Sequence, residues 1–323
     1  MEATTDIQKS TIATKRFQSP SARAVKVLLT KKLAMIAVVY LVIFYAVGLL
    51  APVVAPHDPN VIDLDLSREG PSSEHWLGTD RLGRDLASRV IYSARVTAIF
   101  TIVVTITGGL VLGLGLGLLA GYRGGWIDTA IMRLGEILSA VPTLFLMLAL
   151  MAAFRSRIGD ISFWLQTNTF LGGDARPIVQ FMLIALVTVP FSWLGSARIV
   201  RSIALQLRES TFVEAAELYG ATTWRMITRH ILPGVMPLFL VGVTGGMAAI
   251  AGAEVALSFI GLGITEPTAS FGNLIQEGAG PQTFSDFPHL LLAPAIPVVL
   301  FFFAWNLLGD ALVDILEPRL NTR

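Results

Sequence analysis

The chain has 323 residues, 54% of them hydrophobic and 15% charged, with a mean hydropathy of +0.67, which leaves too little polar surface for a soluble fold of this size. Its net charge is +1 and its basic residues are dispersed among loops, which excludes a nucleic-acid-binding patch. Cysteine is absent, so disulfides and thiolate metal sites are excluded as well.

Residues 1–32 are polar and carry Lys9, Lys15, Arg16, Arg23, Lys26, Lys31 and Lys32 against Glu2 and Asp6. They read as a cytoplasmic tail. The apolar block that follows, 33–56, is too long for the core of a signal peptide and lacks a small-residue cleavage site after it. At ~20 residues for a ~30 Å hydrocarbon layer it spans a membrane instead. Further spans are expected at 97–121, 130–154, 178–199, 233–262 and 290–312, giving an all-α membrane protein with six transmembrane helices. The arginines of 198–229 and those of the two tails place both termini in the cytoplasm. The domain reading is therefore a tail (1–32), a first span (33–56), an outer segment with an interfacial helix (57–96), a five-helix core (97–312) and a second tail (313–323).

In the outer segment, Asp80 with Arg84, Arg81 with Asp85, and Asp85 with Arg89 stand four apart, and Trp76, Leu82, Leu86 and Val90 offer an apolar side. This predicts a surface helix. The second span carries Gly109, Gly113, Gly117 and Gly121 at every fourth position, a flat stripe suited to close helix packing; a substrate-lining groove is the alternative. In the third span, Arg133 and Glu136 fall on one face near the inner end, either as a structural ion pair or as a gating contact. The interval 155–177, with Phe163, Trp164 and Leu165 beside Arg155, Arg157, Asp160, Asp174 and Arg176, reads as an outer hairpin or interfacial helix. Glu254 lies within the fifth apolar segment, where a carboxylate needs protonation, a partner or water. It is a translocation candidate or a helix–helix hydrogen bond. Asp310 and Asp314 read as a solvated end of the last span.

Between the fourth and fifth spans lies a polar interval, 205–233. Thr211 followed by Glu214 predicts a capping box, and Phe212, Ala215, Ala216 and Tyr219 share a face. Gly220 is placed to end that helix in a left-handed residue. Thr222 or Thr223 then caps a second helix bearing Trp224, Arg225, Met226 and Arg229, which is expected to stop before Pro233.

Three patterns carry a resemblance. Glu214-Ala215-Ala216, Gly220 and the ending Ile231-Leu232-Pro233 resemble the "EAA" loop of ABC importer permeases, with His230 in place of an isoleucine. The run His75-Trp76-Leu77-Gly78-Thr79-Asp80, continuing through Gly83-Arg84-Asp85 to Ser88-Arg89, resembles the signature of the dipeptide, oligopeptide and nickel branch. The stretches 121–128, 254–263 and 267–278 match the same branch, with Ser93 and Phe271 as departures from its glycine and tryptophan. The resemblance implies a "C"-type permease that pairs with a second, homologous permease in the cell membrane. It also implies two cytoplasmic ABC ATPases, which bind ATP and Mg, docking on the Thr211–His230 elbow, and an extracytoplasmic solute-binding protein delivering short peptides. Nickel chelates, glutathione or oligosaccharides are the alternatives within the branch, and an ion-coupled secondary transporter is a more remote one.

No catalytic or metal site is expected in the chain itself. All five lysines precede Leu33, so a GxxxxGK[ST] phosphate loop is absent. There is no HExxH, and His57, His75, His230 and His289 are scattered. No cofactor is therefore assigned to this chain.

Overall fold

The computed structural model describes residues 31–168 and 175–316. Helix α1 (Lys32–Leu49) and a four-residue helical turn, Ala51–Val54, form the first span. Helix α2 runs Leu86–Arg123, α3 Gly125–Ser139, α4 Thr143–Asn168 and α5 Ala175–Arg208. Helix α6 is Thr211–Leu218, α7 Thr223–Phe259, α8 Phe271–Gly278, α9 Pro281–Asp286 and α10 His289–Leu316. Among the described residues the sole β pairing is an isolated bridge between Thr79 and Asp85.

Five of these helices are long and apolar enough to cross a membrane, and α3 with α4 makes a sixth if that bent pair is one span. The expected straight third span is thus broken, with its halves at 79°. Pro142 is the cause: it lacks a donor and pushes Val141 out of helical geometry. Beyond the break, α4 does not turn back at residue 155 but continues to Asn168, leaving Phe163 and Trp164 exposed. Of the hairpin and the helix expected there, the described part is helical, as an extension of α4, and residues 169–174, with the side chains of Arg155 and Arg176, lie outside the described residues.

The second span also differs from expectation, beginning at Leu86 rather than near residue 97. Asp85 makes this start, since its carboxylate accepts from the Ser88 backbone N–H at 2.7 Å. Residues 75–85 are consequently a folded loop, not the expected surface helix. Arg68 N–H donates to Asp80 O at 2.9 Å and Thr79 N–H to Glu69 O at 3.0 Å, which stitches the loop to the chain ahead of it. Gly83 adopts φ +73°, and a side chain there would collide with the Asp63 carbonyl.

Helix α2 packs along α5 through a glycine stripe. A Cβ on Gly113 would lie 2.7 Å from Ser196 Cβ, one on Gly117 2.7 Å from Val200 Cβ, and one on Gly121 2.6 Å from Ala204 Cβ. These partners step by four along α5, as the stripe does along α2. Gly109 is the exception, because its nearest neighbour is Thr105 of its own helix at 3.8 Å. Its place is taken by Gly108, whose added Cβ would meet Ser192. The shift arises because Thr105–Leu114 is wound in wider π turns, which moves the register by one residue.

Around and including this pair the described residues build four apolar clusters, the smallest of them Trp193, Leu194 and Ala197 of α5. Phe44 of α1, Phe271 of α8 and Phe301 of α10 join Leu86 and Val90 in one, with Phe44 and Phe301 centred 4.6 Å apart. Phe100, Met147, Met151, Ile184 and Leu257 form a second. Leu118, Val200, Ile231, Val235 and Phe239 form a third, under the polar interval 205–233. On the outside, Leu33, Ile36, Val39 and Ile43 of α1 stay exposed, as lipid-facing residues do. The ends of α1 and α10 are tied by an ion pair between Lys31 and Asp314, so Asp314 is a paired residue and not merely a solvated end.

Candidate functional site

The interval after α5 folds into an elbow projecting from the helix bundle. Helix α6 starts one residue earlier than the capping box requires: Ser210 is its N-cap, its hydroxyl donates back to Leu207 O, and no side chain caps the helix. Thr211 is already helical, and Glu214 stands exposed in the first turn, where it complements the helix dipole. The far end matches expectation. Gly220 adopts φ +79°, its N–H donates to Glu217 O at 2.8 Å, and Ala221 N–H donates to Ala216 O at 3.0 Å. These two bonds are the paired closure of a left-handed helix stop.

Thr222 then accepts from Arg225 N–H at 3.4 Å and opens α7. The helix does not stop before Pro233. It passes through π turns at Met226–Ile231 and continues, with Pro233 inside the first turn of Leu232–Phe259. Proline's missing donor is accommodated there because the wider π turns just ahead of it already interrupt the regular α-helical ladder. Val213, Met226 and Ile231 anchor the elbow inward. Its other side presents Phe212 (50% exposed), Leu218 (85%), Tyr219 (93%) and Trp224 (76%) to solvent. Ala215 and Arg225 are exposed with them, and Ala216 is half-buried. Leu218 was not marked by the sequence pattern, although an apolar residue three positions after Ala215 carries that signal. Single exposed apolar residues are ordinary, but four large ones within thirteen residues, on α6, at its end and at the start of α7, make a surface suited to a partner protein.

Of the other marked residues, Arg133 and Glu136 form an ion pair at 2.8 Å whose side chains are 74% and 51% exposed. Glu254 is fully buried in α7. Its carboxylate accepts from Thr97 Oγ1 at 3.1 Å and from Ser258 Oγ at 3.0 Å, and Ser258 in turn accepts from the Ile264 N–H at 3.0 Å. Thr97 belongs to α2, so the carboxylate joins α2, α7 and the turn after α7. Sequence reasoning could place Glu254 in the bundle but had no means of naming Thr97.

At the end of the bundle formed by the 55–85 segment lies a cluster that the sequence reading paired differently. Arg84 Nε reaches Asp80 at 2.6 Å as expected, but the Arg81–Asp85 and Asp85–Arg89 pairs do not form. Arg84 instead donates to both carboxylate oxygens of Glu266, at 2.9 and 3.3 Å, and the fully buried Arg89 lies 3.3 Å from Asp80 and 3.7 Å from Glu266. The reason is that residues 80–85 are a loop and so lack helical spacing. Burial alone would raise the Glu266 carboxyl, but Arg84, with Arg89 and Arg81, holds it below its usual range. Burial also works to lower the Arg84 guanidinium, and Glu266 and Asp80 outweigh it and raise it. Beside the cluster opens a largely polar recess of about 670 Å³ lined by Arg68, Arg81, Glu266, Gln276 and Glu277.

Long apolar helices, a polar core carboxylate and a projecting amphipathic elbow define a multi-pass membrane transport protein. Residues 113–322 match the family described as binding-protein-dependent transport system inner membrane component, and residues 19–71 match the N-terminal TM domain of oligopeptide transport permease C. The chain belongs to that inner membrane component family, and it is a multi-pass membrane protein. It is 34% identical over 91% of its length, and 89% of the relative's, to a glutathione transport system permease protein of Pectobacterium atrosepticum. To a dipeptide transport system permease protein of Bacillus subtilis it is 34% identical over 90% of its length and 83% of the relative's. An oligopeptide transport system permease protein of the same organism is 33% identical, with coverages of 90% and 87%.

Proposed function

We propose that this chain forms half of the translocation path for short peptides in an ATP-driven importer, coupled to cytoplasmic ATPases through the 205–233 elbow. The carrying observation is the exposed face of Phe212, Leu218, Tyr219 and Trp224, set on a rigid glycine stop and anchored by Val213 and Met226. The other half of the path is a second, homologous permease. ATP and Mg are bound and hydrolysed by two separate ATPase subunits, and this chain performs no catalysis itself. A solute-binding protein presents cargo at the opposite face.

In this reading, closure of the ATPases pushes the elbow as a lever, and the helix bundle rocks so that the path opens to one side and then the other. Similarity to dipeptide and oligopeptide permeases supports the substrate class. Glutathione, the cargo named for another relative, is itself a tripeptide and lies within the same chemistry. The test is uptake of labelled dipeptides, tripeptides and glutathione into proteoliposomes holding the whole complex. ATP-dependent uptake of the dipeptides or tripeptides supports the reading, and uptake of glutathione alone would favour that alternative within the branch. Uptake limited to nickel chelates or oligosaccharides, or uptake driven by an ion gradient without ATP, would overturn it.

A further inference from the structure

The loop joining α1 to α2 gathers three side chains that the function above does not use. His57 follows the Ala51–Val54 turn, and its backbone N–H donates to Ser88 Oγ at 3.0 Å. His75 opens the folded loop, and Asp85 starts α2. His75 Nδ1 lies 2.9 Å from Asp85 Oδ1, His57 Nδ1 lies 3.8 Å from Asp85 Oδ2, and the two imidazoles are centred 5.0 Å apart. One donor atom from each of the three residues falls within 4.8 Å of the others.

Asp85 caps α2 through Ser88 and is hydrogen-bonded to His75, and two further features suit a bound cation. The Asp85 side chain is 1% exposed, yet among the described residues its ion-pair partners are only these two histidines. The arginines nearby in sequence turn to Asp80, Glu266 and Glu277 instead. A buried carboxylate is costly without a compensating positive charge, and a metal ion held by the two imidazoles supplies one. In addition, the His57 contact is too long for a hydrogen bond, although the ring faces the carboxylate. Ligands about 2.0–2.2 Å from a tetrahedral zinc ion are about 3.4 Å from one another; here His75 approaches Asp85 Oδ1 and His57 approaches Oδ2, and one donor atom from each residue within 4.8 Å leaves the set a small side-chain movement from that spacing.

We propose that His57, His75 and Asp85 bind a divalent ion of the zinc type, which clips the segment after the first span onto the start of the second. Two imidazoles and one carboxylate suit a borderline transition ion better than magnesium or calcium, which favour all-oxygen shells. The floor of the site is dry, since His75 is 12% exposed, while His57 at 40% leaves one side open for water as a fourth ligand. The Ser88 N–H fixes the carboxylate, as outer partners of metal ligands do. To ligate through Nδ1, each histidine carries its proton on Nε2.

The test uses the assembled complex in lipid nanodiscs, stripped with a chelator and then titrated with zinc alone against a chromophoric competitor. One zinc per copy of this chain is expected, with a melting temperature that rises with free zinc. His57→Ala keeps the backbone bond to Ser88 and is expected to weaken zinc binding by at least about 10–100-fold, the loss typical of even an outer-shell partner. A readout that needs no variant is ethoxycarbonylation of His57 by diethyl pyrocarbonate, mapped by mass spectrometry, which zinc is expected to slow. Equal zinc uptake by wild type and His57→Ala, or a His57 modification rate indifferent to zinc, overturns the proposal. So does stabilisation by mild acid with no response to zinc, which would show that the histidines balance Asp85 by protonation.

Discussion

Arg84 and Glu266 stand 182 residues apart in the sequence and meet through two hydrogen bonds, 2.9 and 3.3 Å, between guanidinium and carboxylate. The pair ties the loop before α2 to the turn after α7, so the second and fifth apolar segments are fastened at one end of the bundle. Because the arginines hold the Glu266 carboxyl below its ordinary 4.5, its contribution to stability is fully present above the unfolded value. It is lost as pH falls through the depressed folded value. Melting of the detergent-solubilised protein, followed from about pH 6 down to about pH 3, is therefore expected to fall more steeply for wild type than for Glu266→Gln. Parallel curves would show that the pair adds nothing pH-dependent.

The glycine stripe gives a prediction that separates neighbours. Gly117→Leu drives a side chain into Val200 and the Ala197 carbonyl, an overpacking cost of about 1–3 kcal/mol or more, and is expected to reduce the yield of assembled complex. Gly109→Ala, in the same apparent repeat, adds a Cβ that meets nothing closer than 3.8 Å and is expected to be tolerated. Size-exclusion yield of the two variants decides it; equal loss would mean that the π-wound register is not the working one.

The buried Glu254 site predicts an order. Thr97→Val removes one donor from the carboxylate, whereas Ser258→Ala removes the other and also strands the Ile264 N–H. Each unsatisfied group costs about 1–3 kcal/mol, so Ser258→Ala should lower the melting temperature more than Thr97→Val. The reverse order would place the main support of Glu254 elsewhere.

The sidedness expected from the basic residues is tested by labelling. A cysteine in place of the exposed Ser72 is expected to react with an impermeant maleimide from outside intact cells. One in place of Tyr219, which is 93% exposed, is expected to react only after the membrane is opened. Labelling of position 219 from outside would put the elbow on the wrong side for a cytoplasmic ATPase.

Much of the fold was legible because membrane spans are written in long apolar blocks. The glycine stop at Gly220 was readable too, since a left-handed residue has few alternatives. What escaped depended on contacts between distant segments or on local winding. Asp80, Arg84, Asp85 and Arg89 have helical spacing, but Gly78 and Gly83, both at positive φ, fold the stretch into a loop and redirect its arginines to Glu266. Gly109 lost its place to Gly108 through π turns that leave no mark in a four-residue repeat. The meeting of His57 with His75 follows from that same loop, so histidines that look scattered in sequence share a carboxylate in space.

The central claim is that the elbow transmits force between this chain and an ATPase. Gly220 isolates it, since its φ of +79° costs a residue with a Cβ about 1–2 kcal/mol, asparagine excepted, and nothing lies within 4 Å of an added Cβ. The direct measurement is ATP hydrolysis by the reconstituted complex, stimulated by cargo-loaded binding protein, for wild type, Gly220→Asn and Gly220→Val. The account predicts near-normal stimulation for Gly220→Asn and a loss of about tenfold for Gly220→Val, with all three complexes assembled in equal yield. Full stimulation in Gly220→Val would contradict it and move the coupling surface away from the elbow.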